Sequence, residues 1–138
     1  MICFQLYATS RALTNLYRPV LDELSLTYPQ FIAMVVLWEQ GPATMRDLGR
    51  ILELDSGTLS PLIKRLESQG FVRRVRGTTD ERTVEIHLTD EGTHLRRRVE
   101  GTDLMRRFAA ALDLELDEYR QLHDLLSRVR ASATVNTL

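Results

Sequence analysis

Cysteine is nearly absent from these 138 residues. Cys3 stands alone, so no disulfide can close within one chain and a disulfide-stapled scaffold is excluded. No apolar run approaches the ~18 residues that a membrane span needs, and no membrane partner is expected. The opening Met1-Ile2-Cys3-Phe4-Gln5-Leu6 lacks a basic segment, and Arg11 interrupts any apolar stretch behind it. A signal peptide is therefore not expected, and the cytoplasm is the expected location. Neither repeats nor low-complexity stretches occur. His87, His94 and His123 lack metal-ligand spacing and have no second cysteine to support them, so neither metal nor cofactor is expected. No phosphate-cradling glycine loop, dinucleotide fingerprint or Ser-His-Asp constellation can be read. What remains is ordinary globular composition, 43% hydrophobic and 27% charged, at a length that fits one domain, or one domain with a dimerisation appendage.

The formal net charge is only −1, yet the charge is sorted along the chain. Between residues 57 and 82, six cations (Lys64, Arg65, Arg73, Arg74, Arg76 and Arg82) face three acids, Glu67, Asp80 and Glu81. Between residues 113 and 138 the balance reverses, with three arginines against five acids. A positive block in mid-chain is the footprint expected of a surface that meets phosphates.

Hydrophobic periodicity predicts a first helix over 2–24, which Pro19 should bend or end. Thr27 reads as the N-cap of a second helix, about 28–40, whose apolar centre Phe31-Ile32-Ala33-Met34-Val35-Val36-Leu37-Trp38 belongs in a core. Thr44 caps a short helix to about Leu52. Asp55-Ser56-Gly57 then starts another of about 57–69, closed by Gly70. Residues 71–76 and 83–88 alternate as two strands around the polar turn Gly77-Thr78-Thr79-Asp80-Glu81-Arg82. Thr89-Asp90-Glu91-Gly92 opens a helix expected to run to about Leu112, on which Arg96-Arg97-Arg98 reads as a solvated face. A last helix covers about 115–131. The expected class is mainly α (α+β): a winged helix-turn-helix (41–90) between N-terminal helices (1–40) and C-terminal helices (91–138) that form a dimerisation domain.

On the second short helix, removing the inward Leu59, Leu62, Ile63 and Leu66 leaves Thr58, Ser60, Pro61, Lys64, Arg65 and Ser68. Small hydroxyls at the start suit base edges or phosphates, and cations further on suit phosphate positioning and counterion release. The hairpin has the size to place one arginine in a minor groove beside that helix. Together they point to double-stranded DNA.

The run Asp55-Ser56-Gly57-Thr58-Leu59-Ser60-Pro61-Leu62-Ile63-Lys64-Arg65-Leu66-Glu67, with Asp80-Glu81-Arg82 and Leu88-Thr89-Asp90-Glu91-Gly92, resembles the MarR family of transcription regulators across nearly the whole chain. The resemblance implies a homodimer on a near-palindromic operator, and a regulator rather than an enzyme. Ser56, Thr58, Ser60, Pro61, Lys64, Arg65, Arg74 and Arg76 would then face DNA. Arg82 would be the wing-tip minor-groove arginine, with Asp80 holding the wing by pairing with Arg74.

Cys3 lies in the first turn of a helix, where the positive end of the macrodipole favours a thiolate. Cys3, Tyr7, Ser10, Thr14 and Tyr17 recur at helical spacing and form one polar stripe. As a lone thiol it could equally be a small buried hydrophobe. Cys3-Phe4-x-Leu6-Tyr7-Ala8, Leu16-Tyr17-x-Pro19 and Leu26-Thr27-Tyr28-Pro29-Gln30-Phe31 are similar to the organic-hydroperoxide-sensing (OhrR) branch of that family. The likeness implies that Cys3 is the sensor and that Tyr17 and Tyr28 bond its sulfur. Fourteen residues of one helix put Cys3 and Tyr17 roughly 21 Å apart, so such a site has to be shared between subunits. The expected partners are DNA, a second copy, an organic hydroperoxide and a low-molecular-weight thiol. Release by a small aromatic or phenolic ligand, a broad oxidation-responsive role and thiol peroxidase chemistry remain as alternatives.

Overall fold

A computed structural model describes residues 1–77, 79–80 and 82–136 of the chain. Thr78 and Glu81 of the expected hairpin turn lie outside the described residues. The order is α1 (Ile2–Glu23), α2 (Tyr28–Gln40), β1 (Ala43–Thr44), α3 (Met45–Leu52), α4 (Ser56–Ser68), β2 (Val72–Arg76), β3 (Val84–Leu88), α5 (Asp90–Glu100), α6 (Leu104–Leu112) and α7 (Leu116–Val135). Two compact units are formed, Met1–Leu104 and Met105–Leu138.

In the first unit, α2 runs through the core with Met34 and Ala33 wholly buried and Leu37 nearly so. Its start is set by a capping box. The Thr27 hydroxyl accepts from the Gln30 N–H, while the Gln30 side chain accepts from the Thr27 N–H at 2.9 Å. Leu48 from α3, Leu59, Ile63 and Leu66 from α4, Ile86 from β3 and Leu95 from α5 complete the apolar interior. Thr44 and Asp55 cap α3 and α4 as their side chains suggest.

Several local expectations change. Pro19 sits inside α1 without ending it; the helix continues one more turn, because Val20, Leu21 and Leu24 are buried and hold that turn against the core. The last helical residue before the wing is not followed directly by glycine: Gln69 is the C-cap of α4, and Gly70 comes next at φ 83°. The expected helix to Leu112 is broken at residues 101–103. There the Thr102 hydroxyl donates to the Val99 carbonyl at 2.6 Å and accepts from the Leu104 N–H, closing α5 and opening α6. A third strand also appears. Ala43 and Thr44 pair with Ile86 and Glu85, giving the antiparallel order β1-β3-β2.

Arg96 is not simply a solvated cation. Its guanidinium donates to the Trp38 carbonyl at 2.9 Å and to Glu100, while the Trp38 indole N–H donates to the Gly92 carbonyl at 2.9 Å. These bonds fasten the C-terminal end of α2 to the start of α5.

In the second unit, α7 has no buried residue, and Tyr119, Leu122, Leu125, Leu126 and Val129 are all exposed. With Met105 and Leu116 they leave a broad apolar surface, including an apolar groove of about 390 Å³ at the α6–α7 turn. No single helix among the described residues is long and apolar enough to cross a membrane.

Candidate nucleic-acid interface and thiol–phenol site

The α4 helix is built to show one face. Its inward stripe of Leu59, Ile63 and Leu66 is fully buried, and Ser56, Thr58, Ser60, Pro61, Lys64 and Arg65 are all exposed. Asp55 fixes the entry: its carboxylate accepts from the Thr58 N–H at 2.8 Å, and that bond holds its pKa below the ordinary 3.8. The exposed hydroxyls therefore sit on the first turn, where backbone N–H groups also point outward, and the cations sit on later turns. Arg46 and Arg50 on α3 flank the same side, beside Ser56 along a cleft of about 480 Å³.

The hairpin extends from this helix, and one expectation about it is corrected. Arg74 does not pair with Asp80. Its backbone N–H donates to Glu67 of α4 at 3.2 Å, and its side chain lies 3.8 Å from the same carboxylate. The reason is topological: β2 is an edge strand, its outward N–H groups lack a strand partner, and Glu67 supplies an acceptor. Asp80 acts locally instead. Its carboxylate accepts from the Arg82 N–H at 3.0 Å, and its carbonyl accepts from both the hydroxyl and the N–H of Thr83. The turn closes where the Gly77 N–H donates to the Thr83 carbonyl at 2.9 Å. Asp80 thus shapes the backbone from which the exposed Arg82 projects, and Arg76 stands exposed at the end of β2. Glu67 was not singled out in the sequence, since seven residues separate it from Arg74 and no helical or strand period relates them.

Where α1 passes the start of α2, Tyr17 and Tyr28 meet. Their rings are edge-to-face with centroids 5.3 Å apart, and Phe31 lies 5.7 Å from Tyr17. Tyr17 is buried, and burial raises the Tyr28 phenol above its ordinary 10.0, keeping it a protonated donor at neutral pH. A groove of about 480 Å³, with Arg18, Asp22 and Thr27 on its wall, adjoins Tyr28.

The structure does not bring Cys3 to this pair. Cys3 is exposed on α1, which carries it and Tyr17 on one unbroken helix. The polar stripe on α1 does not gather around the sulfur either. The Thr14 hydroxyl donates to the Ser10 and Arg11 carbonyls of its own helix. Tyr7 is 60% exposed and stacks under Arg11, whose guanidinium donates to the Tyr7 hydroxyl. Ile2, Phe4 and Leu6 flank the thiol with exposed apolar surface.

An α3–turn–α4 pair backed by a three-stranded sheet whose β2–β3 hairpin stands beside α4 is a winged helix-turn-helix. Comparison with known proteins narrows the class. The family model of the transcriptional regulator SarA/Rot matches residues 15–99, and this chain belongs to that family of MarR-like winged-helix regulators. The organic hydroperoxide resistance transcriptional regulator of Bacillus subtilis is 48% identical over 97 residues, 70% of this chain and 66% of that protein. The regulator MgrA of Staphylococcus aureus is 36% identical over 129 residues, 93% of this chain and 86% of MgrA. Reduced AbfR of Staphylococcus epidermidis bound to DNA superposes with a TM-score of 0.78 at 32% identity, covering 96% of this chain and 91% of AbfR. The chain thus spans just under two thirds of the B. subtilis regulator's length. The family and these relatives are transcriptional regulators, not enzymes.

Proposed function

We propose that this protein is a homodimeric repressor that grips a near-palindromic operator through α4 and the wing and releases it when an organic hydroperoxide oxidises Cys3. The observation that carries the sensing half is the placement of Cys3 and Tyr17 on one continuous helix, with Tyr17 and Tyr28 already paired. At ~1.5 Å per residue the thiol of one copy cannot reach its own phenol pair, so the partner subunit's Cys3 has to supply the sulfur. The exposed apolar residues around Cys3 and along α7 are the surfaces a second copy would cover. The names of the B. subtilis regulator and of reduced, DNA-bound AbfR support both halves of the reading.

The DNA half rests on the exposed face of α4. Ser56, Thr58, Ser60 and Pro61 would meet the major groove; Lys64, Arg65 and Arg76 the phosphates; and Arg82 the minor groove. Arg74, tied to Glu67, would hold the wing at its angle to α4 while Asp80 shapes its tip.

In the redox step the Cys3 thiolate attacks one peroxide oxygen. An S–O bond forms, the O–O bond breaks, and the displaced alkoxide takes a proton to leave as an alcohol. Sulfur loses two electrons and the peroxide gains them, leaving a sulfenic acid. A low-molecular-weight thiol then condenses with it, giving a mixed disulfide and water. Tyr28 and Tyr17 donate hydrogen bonds to the reduced sulfur, with Tyr7 on the cysteine's own helix beside it. A bulkier oxidised sulfur breaks those bonds and changes the spacing of the two recognition helices. A coupling of about 3 kcal/mol corresponds to roughly 150-fold weaker operator binding.

The test is an electrophoretic shift on the DNA upstream of the protein's own gene, with and without cumene hydroperoxide. The wild type should bind when reduced and release on oxidation, whereas Cys3→Ser should bind and stay bound. Release of Cys3→Ser at the wild-type peroxide concentration would overturn thiol sensing. The groove beside Tyr28 favours a second reading, release by a small aromatic ligand, which predicts full release of Cys3→Ser by that ligand.

A further inference from the structure

We propose that Gln69 is the positioning residue through which the turn between α1 and α2 holds the recognition helix. This deepens the regulatory reading above, supplying a route within one chain from the phenol pair to α4. As the C-cap of α4, Gln69 donates its backbone N–H to the Arg65 carbonyl at 3.0 Å. Its side-chain Nε2 donates to the Ser25 carbonyl at 2.6 Å, across 44 residues of sequence.

The far end of this strut has little slack. Residues 24–27 alone separate α1 from α2, and the chain turns by 80° between the two helices. Ser25 holds a left-handed φ of 55°, a conformation that a non-glycine residue keeps only when its surroundings impose it. Those surroundings are visible. The Leu24 N–H donates to the Val20 carbonyl, the Ser25 N–H to the Asp22 carbonyl, and the Leu26 N–H to the Leu21 carbonyl at 2.9 Å. Leu24 and Leu26 are buried. Tyr17 precedes Val20 and Leu21 by one turn of α1, and Tyr28 follows Ser25 by three residues. A shift of either phenol therefore carries the Ser25 carbonyl with it, and the Gln69 bond passes that shift to the end of α4.

The other amide atom explains why the contact can let go. Gln69 Oε1 is buried and has no hydrogen-bond partner among the described residues. An unmet buried acceptor offsets what the Nε2 bond contributes, so the strut is held at a small net gain. Coupling is also reciprocal: if the turn positions α4, DNA on α4 must steady the turn.

The experiment compares the full chain with Gln69→Met, which is close in volume and apolar, and Gln69→Glu, whose carboxylate cannot donate to Ser25 at neutral pH. Hydrogen exchange at the Leu26 amide is measured with and without a duplex of the region upstream of the gene. In the reduced wild type the duplex should slow Leu26 exchange by about tenfold, and in both variants by less than about twofold. Each protein is compared at a duplex concentration that saturates it, so a difference in affinity between wild type and variants does not enter the exchange comparison. Equal slowing in wild type and variants, or none in the wild type, overturns the proposal. Should one variant fail to fold, the other decides. Failure of cumene hydroperoxide to release the wild type would count against the sensing reading alone, because the exchange comparison uses no oxidant.

Discussion

Gly92 offers a test in which two physical arguments predict opposite signs. It lies in the first turn of α5, and alanine there should stabilise an isolated helix by about 1 kcal/mol. The tertiary structure says otherwise. A Cβ at Gly92 would overlap the Phe71 carbonyl oxygen and stand 3.2 Å from both the Phe71 carbonyl carbon and Leu88 Cδ2. The Phe71 oxygen cannot simply retreat, because it accepts from the Thr89 N–H at 3.1 Å. Moving α5 away instead stretches the bond from the Trp38 indole to the Gly92 carbonyl. Overpacking costs about 1–3 kcal/mol. Stranding a half-buried donor costs up to about 1–3 kcal/mol more, since only one of the two bonds need break. Net of helix propensity, Gly92→Ala should lose about 1–5 kcal/mol. With a urea slope of about 2 kcal/mol per M, unfolding at one fixed protein concentration should show the midpoint falling by about 0.5–2.5 M at unchanged slope. A midpoint at or above wild type would refute the close-approach argument and leave helix propensity in charge. The variant should also bind the duplex more weakly, because α5 and the base of the wing move together.

Arg82→Ala should weaken operator binding by about 1–3 kcal/mol with little change in unfolding, whereas Lys64→Ala should lower the salt slope of binding by about one; fluorescence anisotropy across a salt series separates them. Asp55→Asn tests the α4 cap by pH. The native carboxyl is depressed in the folded state, so its contribution is present above its ordinary 3.8 and lost as pH falls through the folded value. Asn keeps an acceptor but does not titrate, so acid unfolding of the variant should be less steep below about pH 4, and an identical acid profile would count against the cap. Leu122→Asp with Leu126→Asp, on the exposed α7 stripe, should yield a monomer by light scattering and abolish tight operator binding; a dimer that persists would place the interface elsewhere.

Much of this molecule was written locally. Thr27, Thr44, Asp55 and Thr89 are caps because a short side-chain oxygen can reach its own helix's third N–H, and that needs no distant partner. The buried stripe and exposed face of α4 and the alternation of the two wing strands were legible for the same reason: each depends on periodicity within one element. Other features belong to the fold alone. The Arg74–Glu67 tie, the strand at Ala43–Thr44, the Trp38–Gly92–Arg96 fastening and the Gln69–Ser25 strut join residues between 7 and 58 positions apart. No period connects them, and the hydrogen-bonding groups they satisfy become short of partners only once strands and helices are packed. The break at residues 101–103 stands between these cases. Its Thr102 hydroxyl acts over two and three residues, yet the helical periodicity on either side conceals it. Chain order therefore decided which elements form and which face of each is apolar, whereas packing decided which polar groups were left wanting and which neighbours answered them.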